Sequence, residues 1–470
     1  MKRFVGMVLV IAAVVALFVC VSWLFYYVAA GLGLATNFLG HWWGVWRWDV
    51  ATRPIDEAWF SYGAAIGNLL TLMLVAMMVS GSLLTVAERK WSAMMQNRIG
   101  ANRIKVLGLP LGGIPFLVAD ALKMLTKERV EPTGRTHLLY ELAPILAFAP
   151  VFALFAIVPV GPPVPLQELV DGAPGTLEVP LQVARIDAGL IYVFAIASLQ
   201  VYGTSLAGWA SNNKLALLGG VRASSQMISY EVSLGLSLVG CMLAYRTLRL
   251  DEMVVAQGAQ VIGPVPALGI LLQPVGFLIF FASAFAETKR APFDLPEGES
   301  EIVGYFIEYS GMKFGLMFLA EFVEITVLSA IVTAVFLGGW HPIFVSSDWL
   351  REQLQPAWYG AVCAAAFLVK MVIMMWLQLT IRWLLPRFRY DQIQKLCWKL
   401  LLPAALANVF VTAGVLLVEQ ETGVQPLHLL AWLGVATLVA IAVVTAAVGR
   451  SGSPSPLAAA DATTHAAAGH

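Results

Sequence analysis

The feature that most constrains this chain is a series of long apolar stretches, each about the length needed to cross a lipid bilayer. A helix crosses the hydrocarbon core with about 20 consecutive apolar residues. Ten such stretches predict ten membrane-spanning helices, at about residues 4–30, 63–86, 137–159, 189–210, 230–247, 268–286, 312–337, 357–385, 399–418 and 427–448. Charged residues make up only 12% of the chain, against roughly a quarter in soluble proteins. The predicted fold class is therefore all-α, a polytopic transmembrane helix bundle.

The distribution of Lys and Arg predicts how this bundle is oriented. Cytoplasmic loops of membrane proteins carry an excess of these two residues. With the N-terminus inside, 22 of the 29 Lys and Arg residues fall in cytoplasmic segments and six fall in outside loops. The first stretch is longer than the apolar part of a signal peptide, so we interpret it as a retained span. Both termini are therefore expected on the cytoplasmic side.

Three other segments are predicted to be irregular. Residues 31–62 are rich in Trp and Gly, which is typical of an interfacial outside loop, and residues 161–184 contain five prolines, which predict an extended loop. Residues 449–470 are mostly small and polar and are predicted to be disordered. The sequence has no apparent internal repeat, which disfavours a carrier built from inverted repeats.

The sequence offers no ligand set for a redox cofactor, a metal or a nucleotide. Its cysteines are scattered singly, without the short spacing of zinc or iron–sulfur sites; they are Cys20, Cys241, Cys363 and Cys397. It contains no G-x-x-x-x-G-K-[ST] loop and no G-x-G-x-x-G turn after a strand. The net charge is zero, which gives no reason to expect nucleic acid. We therefore predict no metal, no redox centre and no catalytic residue in this chain.

The first polar motif on the predicted cytoplasmic side joins a charged turn to an amphipathic segment. Glu88 and Arg89 end the second span, and the segment follows at residues 114–125. Apolar residues recur there at helical spacing while Asp120 and Lys123 point the other way, which predicts a helix lying along the membrane interface. One interpretation is a positively charged membrane anchor. The other is a platform at headgroup level where a lipophilic substrate enters.

Two further motifs place acids near the cytoplasmic side. Arg222 precedes Glu231, which is predicted to start the fifth span. Two interpretations of Glu231 remain: it forms a structural ion pair with Arg222, or it belongs to a proton or ligand path. An acid-rich segment then follows, containing Glu287, Asp294, Glu297, Glu299, Glu301 and Glu308. Crowded carboxylates raise one another's pKa, which suits proton uptake near neutral pH, although a solvated loop is the alternative. Arg290 is expected to hold this segment in place.

Three charges are predicted at membrane depth. Glu321 and Glu324 lie one turn apart in the seventh span, and Lys370 lies midway along the eighth. Each costs about 3 kcal/mol or more at the bilayer centre if it lacks a partner. A static ion pair with Lys370 and a role in transport are the two interpretations. Beyond the eighth span, Arg387 and Asp391 belong to a cytoplasmic anchor segment.

Together and in this order, the motifs resemble the signature set of the H subunit of the proton-pumping NADH–quinone oxidoreductase, respiratory complex I. The resemblance is carried by Ala87–Lys90, Asn102-Arg103, Gly208–Asn212, Ser229–Glu231, Glu287–Glu301, Glu308-Tyr309 and Pro386–Gln392. It implies an eight-helix core at residues 63–420. Residues 1–62 would then add an N-terminal span and outside loop, residues 421–448 a further span, and residues 449–470 a disordered tail.

The resemblance also implies a function in a bacterial inner membrane. The chain would join the peripheral arm to the membrane arm and form the entrance through which quinone, the substrate, leaves the lipid. Flavin and iron–sulfur clusters would belong to partner complex I subunits, and this chain would bind no cofactor. The residues implied in the quinone channel are Glu88, Arg89, Asp120, Lys123 and Arg222. Those implied in the proton path are Glu231, Glu287, Glu297, Glu299, Glu301, Glu308 and Glu321, with Arg290, Asp294, Lys370, Arg387 and Asp391 in structural or coupling roles.

The chain departs from the pattern of this family at a few positions. Ala101 stands where the family usually has Pro, and Lys289 stands where Asn is common. Glu321 matches an acid of the family motif, whereas Glu324 stands where a neutral residue is frequent. The resemblance therefore gives Glu321 a relay role and Glu324 a minor one.

Three other functions are compatible with parts of this pattern. A membrane-bound hydrogenase or formate hydrogenlyase uses a related subunit that needs no quinone. A secondary ion carrier could use Glu321 and Lys370, but it is expected to have symmetric halves with broken helices. A non-catalytic scaffold would leave the acids within the spans unexplained.

Reporter fusions test the predicted topology. Fusions after residues 40, 170, 210 and 300 should read outside, outside, inside and inside, because the charge asymmetry fixes which loops stay in the cytoplasm. If a fusion at any one of these four positions reported the opposite side of the membrane, the predicted number of spans before that position would be wrong.

Overall fold

The computed structural model describes residues 2–44, 57–104, 113–169, 177–262, 265–298, 301–343, 347–422 and 426–450. Most of these residues are helical, which confirms the all-α fold class. The helices are α1 (Lys2–Gly44), α2 (Glu57–Asn68), α3 (Met77–Met95), α4 (Ile114–Thr126), α5 (His137–Phe155), α6 (Gly189–Ala210), α7 (Lys214–Tyr245), α8 (Leu250–Gln257), α9 (Gly269–Leu272), α10 (Pro274–Glu287), α11 (Met312–Phe336), α12 (Ser347–Gln353), α13 (Pro356–Leu384), α14 (Tyr390–Leu396), α15 (Leu402–Thr422) and α16 (Pro426–Arg450). π-Helical turns at Leu69–Ala76 and Cys397–Leu401 join α2 to α3 and α14 to α15.

Within the described ranges, nine helical segments are long and apolar enough to cross a membrane. They are Ala13–Thr36, Trp59–Met95, His137–Phe155, Gly189–Ala210, Lys214–Tyr245, Met312–Phe336, Pro356–Leu384, Tyr390–Glu419 and Leu427–Thr445. Each corresponds to one of the ten predicted spans. The chain is therefore a multi-pass membrane protein.

The sixth predicted span, at 268–286, is not one continuous helix. It consists of the short helix α9 and the 14-residue helix α10, which are separated at Gln273. Pro274 begins α10 and has no backbone N–H to donate to the preceding turn, which favours the start of a new helix at this position. The Gln273 side chain donates to the Thr412 hydroxyl (2.8 Å) and accepts from the Asn408 amide (2.7 Å). Polar side chains of α15 therefore satisfy the hydrogen-bonding groups of the Gln273 side chain at the break.

Several predicted boundaries are wrong because helices extend beyond their apolar cores. The segment 31–62 is not wholly irregular, since α1 continues to Gly44 and α2 begins at Glu57. Helix α7 begins at Lys214 rather than at residue 230, because the segment between these positions stays helical although it contains two glycines and several polar residues. Residues 449 and 450 end α16, and the remainder of the predicted tail lies outside the described residues.

The proline-rich segment at 161–184 is a hairpin rather than a simple extended loop. Strand β1 (Gly161–Pro165) pairs antiparallel with β2 (Glu178–Leu181), with Val164 opposite Val179. Tyr26 of α1 donates to the Pro162 carbonyl (2.5 Å), and Asn68 donates to the carbonyls of Pro180 and Gln182. These bonds tie the predicted outside loop to the first two spans. A second short hairpin consists of β3 (Gln260–Ile262) and β4 (Val265–Pro266).

Helix α11 lies at the centre of the bundle. It packs against α3, α5, α10 and α13, and every residue from Ala320 to Phe336 is buried. A helix that is apolar on all sides is typical of the core of a large protein or of a membrane domain. Because α11 is enclosed, its two acids Glu321 and Glu324 must find their partners inside the protein.

Close packing between α5 and α6 depends on Gly203. A Cβ atom at this position would lie 2.7 Å from the Ala147 Cα, which is closer than real Cβ atoms come, and small residues are what allow membrane helices to approach this closely. We expect Gly203→Leu to destabilise the protein by about 1–3 kcal/mol and to lower the thermal midpoint of the detergent-purified chain. Gly414→Leu is the matched control, because a Cβ at Gly414 meets no described atom within 4 Å. Equal midpoints for the two variants would contradict this packing.

Candidate functional site

The buried centre of the site is an ion network assembled from four elements. Glu88 comes from α3, Arg290 from the turn after α10, Glu321 from α11 and Arg382 from the end of α13. The Arg290 Nη1 atom lies 2.6 Å from Glu88 Oε2, and its Nη2 atom lies 3.6 Å from Glu321 Oε2. Arg382 pairs with the other oxygen of Glu88. Two arginines therefore share two carboxylates, which offsets the cost of burying each charge.

Arg290 is held in this position by more than its carboxylate partners. Its guanidinium carbon lies 3.7 Å from the centre of the Phe322 ring, a cation–π geometry in which a desolvated arginine is stabilised. The Tyr305 hydroxyl approaches Glu321 Oε1 from the opposite side at 3.4 Å. The predicted role of Arg290 in holding the acid-rich segment is thus supported by its contacts.

A second buried group lies one helical turn further along α11. Lys289 Nζ is 3.8 Å from Glu324 Oε2, and both side chains are almost completely buried. The Gln200 amide of α6 donates to the same Glu324 oxygen at 2.8 Å. Glu324 is therefore paired with Lys289 and Gln200, and the alternative of a static ion pair between these acids and Lys370 is wrong.

Lys370 lies elsewhere in the bundle. Its ammonium group donates to the backbone carbonyls of Leu337 and His341, each at 2.8 Å. These carbonyls lie just beyond the C-terminal end of α11, where a helix leaves acceptors unsatisfied and favours positive charge. This arrangement accounts for the buried cation without a carboxylate.

Glu231 and Arg222 are not paired with each other. Glu231 lies in the middle of the long helix α7 and is partly buried, rather than at the start of a span. Arg222, on the same helix, instead pairs with Glu301 at 2.8 Å. The helix begins 16 residues earlier than predicted, so the two side chains lie on α7 at positions that do not face each other.

The acid-rich segment between α10 and α11 folds back over the network. Asp294 Oδ1 accepts from the Glu297 backbone N–H at 3.2 Å, and the Glu308 carboxylate accepts from the Asn213 amide at 2.6 Å. Phe388 donates its N–H to the Pro292 carbonyl at 3.1 Å, which fixes the anchor segment containing Arg387 and Asp391 against this loop. Glu299 lies outside the described residues.

Acids of this loop differ in their proton affinity. Burial raises the pKa of Asp294 to about 7, and the nearby charge of Glu297 adds to the shift, while Arg387 opposes it. Burial also holds the pKa of Glu297 well above its ordinary value, together with the charge of Glu321. The hydrogen bond from Arg222 lowers the pKa of Glu301. Asp294 is therefore suited to exchange a proton near neutral pH.

The helix predicted at residues 114–125 is confirmed as α4, which ends one residue later at Thr126. Arg89 Nη1 lies 2.8 Å from Asp120 Oδ2, and their side chains are 47% and 39% exposed. Lys123 is exposed on the same helix. The opposite face presents apolar side chains that are more than half exposed: Ile114, Val118, Leu122 and Leu125. The Arg89–Asp120 pair thus marks an open edge between α3 and α4, where an apolar surface meets charged groups.

Among the described residues, no group of three or more His, Cys, Asp or Glu side chains could hold a metal ion. The four cysteines are unbonded to one another, and three of them are buried. The structure brings together Glu88, Arg290, Glu321 and the buried loop acids Asp294 and Glu297. Lys370, Glu231 and Glu308 lie apart from that network. Sequence reasoning did not assign Gln200, Tyr305 or Arg382 to the site; a lone amide within an apolar span was the available signal for Gln200.

Comparison with known proteins identifies the family. A family profile described as NADH dehydrogenase matches residues 68–413. The chain is 41% identical over 345 residues to an NADH-quinone oxidoreductase H subunit of Syntrophobacter fumaroxidans, covering 73% of this chain and 93% of that protein. It is 41% identical over 354 residues to an H subunit of the same enzyme from Geobacter metallireducens (74% and 96%). It is 40% identical over 367 residues to the H subunit from Rhodospirillum centenum (77% and 97%).

The chain belongs to the family of NADH-quinone oxidoreductase H subunits. The resemblance inferred from the motifs is thereby confirmed. The chain is a membrane subunit of the proton-translocating NADH-quinone oxidoreductase, complex I. The buried ion network and the interface helix α4 both lie within the matched region, whereas α1 and α16 lie outside it.

The raised pKa of Asp294 predicts a pH-dependent stability. The folded protein holds this proton up to about pH 7, whereas an unfolded Asp releases it near pH 4. The stability of the parent should therefore fall as the pH rises from about 4 to 7, and level off above that. Asp294→Asn cannot ionise, so its thermal midpoint relative to the parent should rise over the same interval. Asp187→Asn is the control, because this side chain is 97% exposed, and it should show no such trend. If the midpoint of Asp294→Asn relative to the parent stays constant with pH, the raised pKa of Asp294 is refuted.

Proposed function

We propose that this chain forms the entrance through which quinone reaches the enzyme and the first part of the coupled proton path. The observation that carries the proposal is the contrast between two consecutive residues of α3. Arg89 lies at the open edge beside Asp120, while Glu88 is buried and paired with Arg290 and Arg382. Two consecutive residues of α3 therefore connect a surface at lipid headgroup level, at Arg89, to the buried ion network, at Glu88.

The open edge suits an amphiphilic substrate. The apolar face of α4 would contact the isoprenoid tail, and the Arg89–Asp120 pair and Lys123 would meet the polar headgroup. Electrons would reach the quinone from flavin and iron–sulfur clusters in partner subunits, because the sequence contains no recognisable ligand set for such cofactors. Arg222 and Glu301, which pair on the cytoplasmic side, would contribute to the surface that receives those subunits.

The proton path would begin at the inner acids of the loop. Asp294 and Glu297 lie next to the network, and Glu297 interacts with Glu321 of the buried helix α11. From Glu321 the path would continue through Glu287 and Glu231 towards the pumping subunits. A change in the charge of a quinone near Glu88 would alter the balance of charge around Arg290, which contacts both Glu88 and Glu321. Through this shared arginine, reduction of the quinone would change the proton affinity of the acids in the path.

The proposal places the chain in the bacterial inner membrane with both termini in the cytoplasm. This orientation rests on the asymmetry of Lys and Arg, and it puts α4, the acid-rich loop and the segment around Arg387 on one side. All the groups of the proposed entrance then face the cytoplasm, where the peripheral arm would bind.

The alternative functions are less well supported. The break at Gln273 is a feature of ion carriers, but its partners Asn408 and Thr412 are neutral and offer no carboxylate for an ion. A scaffold has no use for the buried network. A subunit of a hydrogenase would share the network but would not need the apolar surface of α4, and neighbouring genes for a flavin subunit would separate the two.

A bulky substitution on α4 tests the quinone entrance. Ala121→Trp should lower quinone reductase activity about tenfold or more, because an indole beside the Arg89–Asp120 pair narrows the path for the headgroup, and tenfold corresponds to about 1.4 kcal/mol. Electron transfer from NADH to a water-soluble acceptor should be preserved in the same membranes. Ala407→Trp is the matched control, since Ala407 is an exposed residue of α15. Equal loss of both activities in Ala121→Trp would indicate misassembly and would contradict the entrance.

A further inference from the structure

Glu287 is a buried acid that the ion network around Arg290 leaves uncompensated. It is the last residue of α10, and its side chain is almost fully enclosed. In the part of the chain that the structure describes, neither of its carboxyl oxygens has a hydrogen-bond partner. The charged groups that face it are Glu231 from α7, Glu324 from α11 and Lys289 from the turn that follows α10.

Lys289 is directed into the protein by its backbone. Its φ angle of 56° lies in the left-handed region, which is uncommon and unfavourable for a residue other than Gly. The side chain is 1% exposed. A surface lysine would gain nothing from such a conformation, so the strain is associated with placing the ammonium group beside Glu324 and Glu287.

Glu324 and Lys289 have direct contacts that differ from those of Arg290. Arg290 contacts two carboxylates, Glu88 and Glu321, whereas Lys289 has an ion pair with one, Glu324. Gln200 fixes Glu324 from the opposite helix. The two groups can therefore be altered together without removing a partner of Arg290.

We propose that Lys289 is a positioning residue that sets the proton occupancy of Glu287, and that Glu324 is its matched counter-charge. This inference rests on the proposed function, because it assigns the pair to the proton path. A lysine alone beside Glu287 would hold that acid ionised, and a glutamate alone would hold it protonated. Together their fields largely cancel, so Glu287 can both take up and release a proton. The balance between the two charges then decides the behaviour of Glu287, so this proposal gives Glu324 a larger role than the minor one that the family resemblance implied.

The experiment is a double-mutant cycle on the assembled enzyme, with Lys289→Met, Glu324→Gln and the double variant. The first readout is the infrared band of the protonated carboxyl group, followed as a function of pH and assigned by its loss in Glu287→Gln. We expect the band to persist to higher pH in Lys289→Met, which removes a cation, and to vanish at lower pH in Glu324→Gln, which removes an anion. In the double variant it should return close to its pH range in the parent.

The second readout is the rate of proton-coupled quinone reduction, with assembly checked on native gels. Each single variant should be slower by about tenfold or more, and the double variant should lie within about threefold of the parent, since residues in one ion pair couple strongly. Lys289→Arg, which keeps the charge, should stay closer to the parent than Lys289→Met. If Lys289→Met fails to assemble, recovery of assembly in the double variant supports the pair and continued failure contradicts it.

Two outcomes would overturn the proposal. One is a double variant whose loss equals the product of the two single losses, because the residues would then act independently. The other is an unshifted carboxyl band in both single variants. The infrared band does not depend on quinone turnover. If the band shifts as expected but the assembled enzyme does not couple quinone reduction to proton movement, the proposed function is refuted while the role of the Lys289–Glu324 pair stands.

Discussion

The architecture of this protein depends on the burial of Arg290 among carboxylates within a bundle that faces lipid. Taking an unpaired charge out of water costs several kcal/mol per ion, and Arg290 is only 4% exposed. Arg290 meets Glu88, Glu321 and the face of Phe322, so α3, α11 and the loop after α10 must converge at one point. Helix α13 joins them because Arg382 completes the charge balance on Glu88.

This convergence has a consequence for coupling. A change of charge at any member alters the field on the others, since interactions between charges are strong where the local dielectric constant is low. Glu88 belongs to the helix that carries Arg89 at the open edge, and Glu321 belongs to the fully buried helix α11. The network is therefore a physical link between the open edge at Arg89 and the buried helix α11.

Much of the fold could be predicted from the sequence, because long apolar stretches have few alternatives in a bilayer. The interface helix α4 followed equally directly from the spacing of Leu117, Ala121 and their neighbours. The break at Gln273 was missed because hydropathy averages over a window and does not register one proline between two apolar halves. The start of α7 was missed because two glycines and the polar stretch 222–226 interrupt its apolar residues and lower the mean hydropathy there.

The partners of the buried charges could not be read from the sequence. Glu88 and Arg290 are 202 positions apart, and nothing in local periodicity indicates that α3 and the loop after α10 meet. Lys370 shows the same limit: a cation in a span suggested a carboxylate partner, whereas backbone carbonyls beyond α11 satisfy it. Ionisable side chains in a membrane protein can be located by counting residues, but their pairing is a property of the three-dimensional packing.

The break between α9 and α10 also bears on how the protein is made. Helix α16 packs against it through Gly434, where any side chain would collide with the Leu271 carbonyl, and Leu430 and Ala431 are buried in the same contact. Asn408 and Thr412 of α15 complete the polar bonds at Gln273. During synthesis the ribosome delivers these covering residues well over a hundred positions after the break. The Gln273 side chain therefore lacks these partners until α15 has been synthesised, so the α9–α10 segment reaches its final packing only after α15 and α16 have joined it.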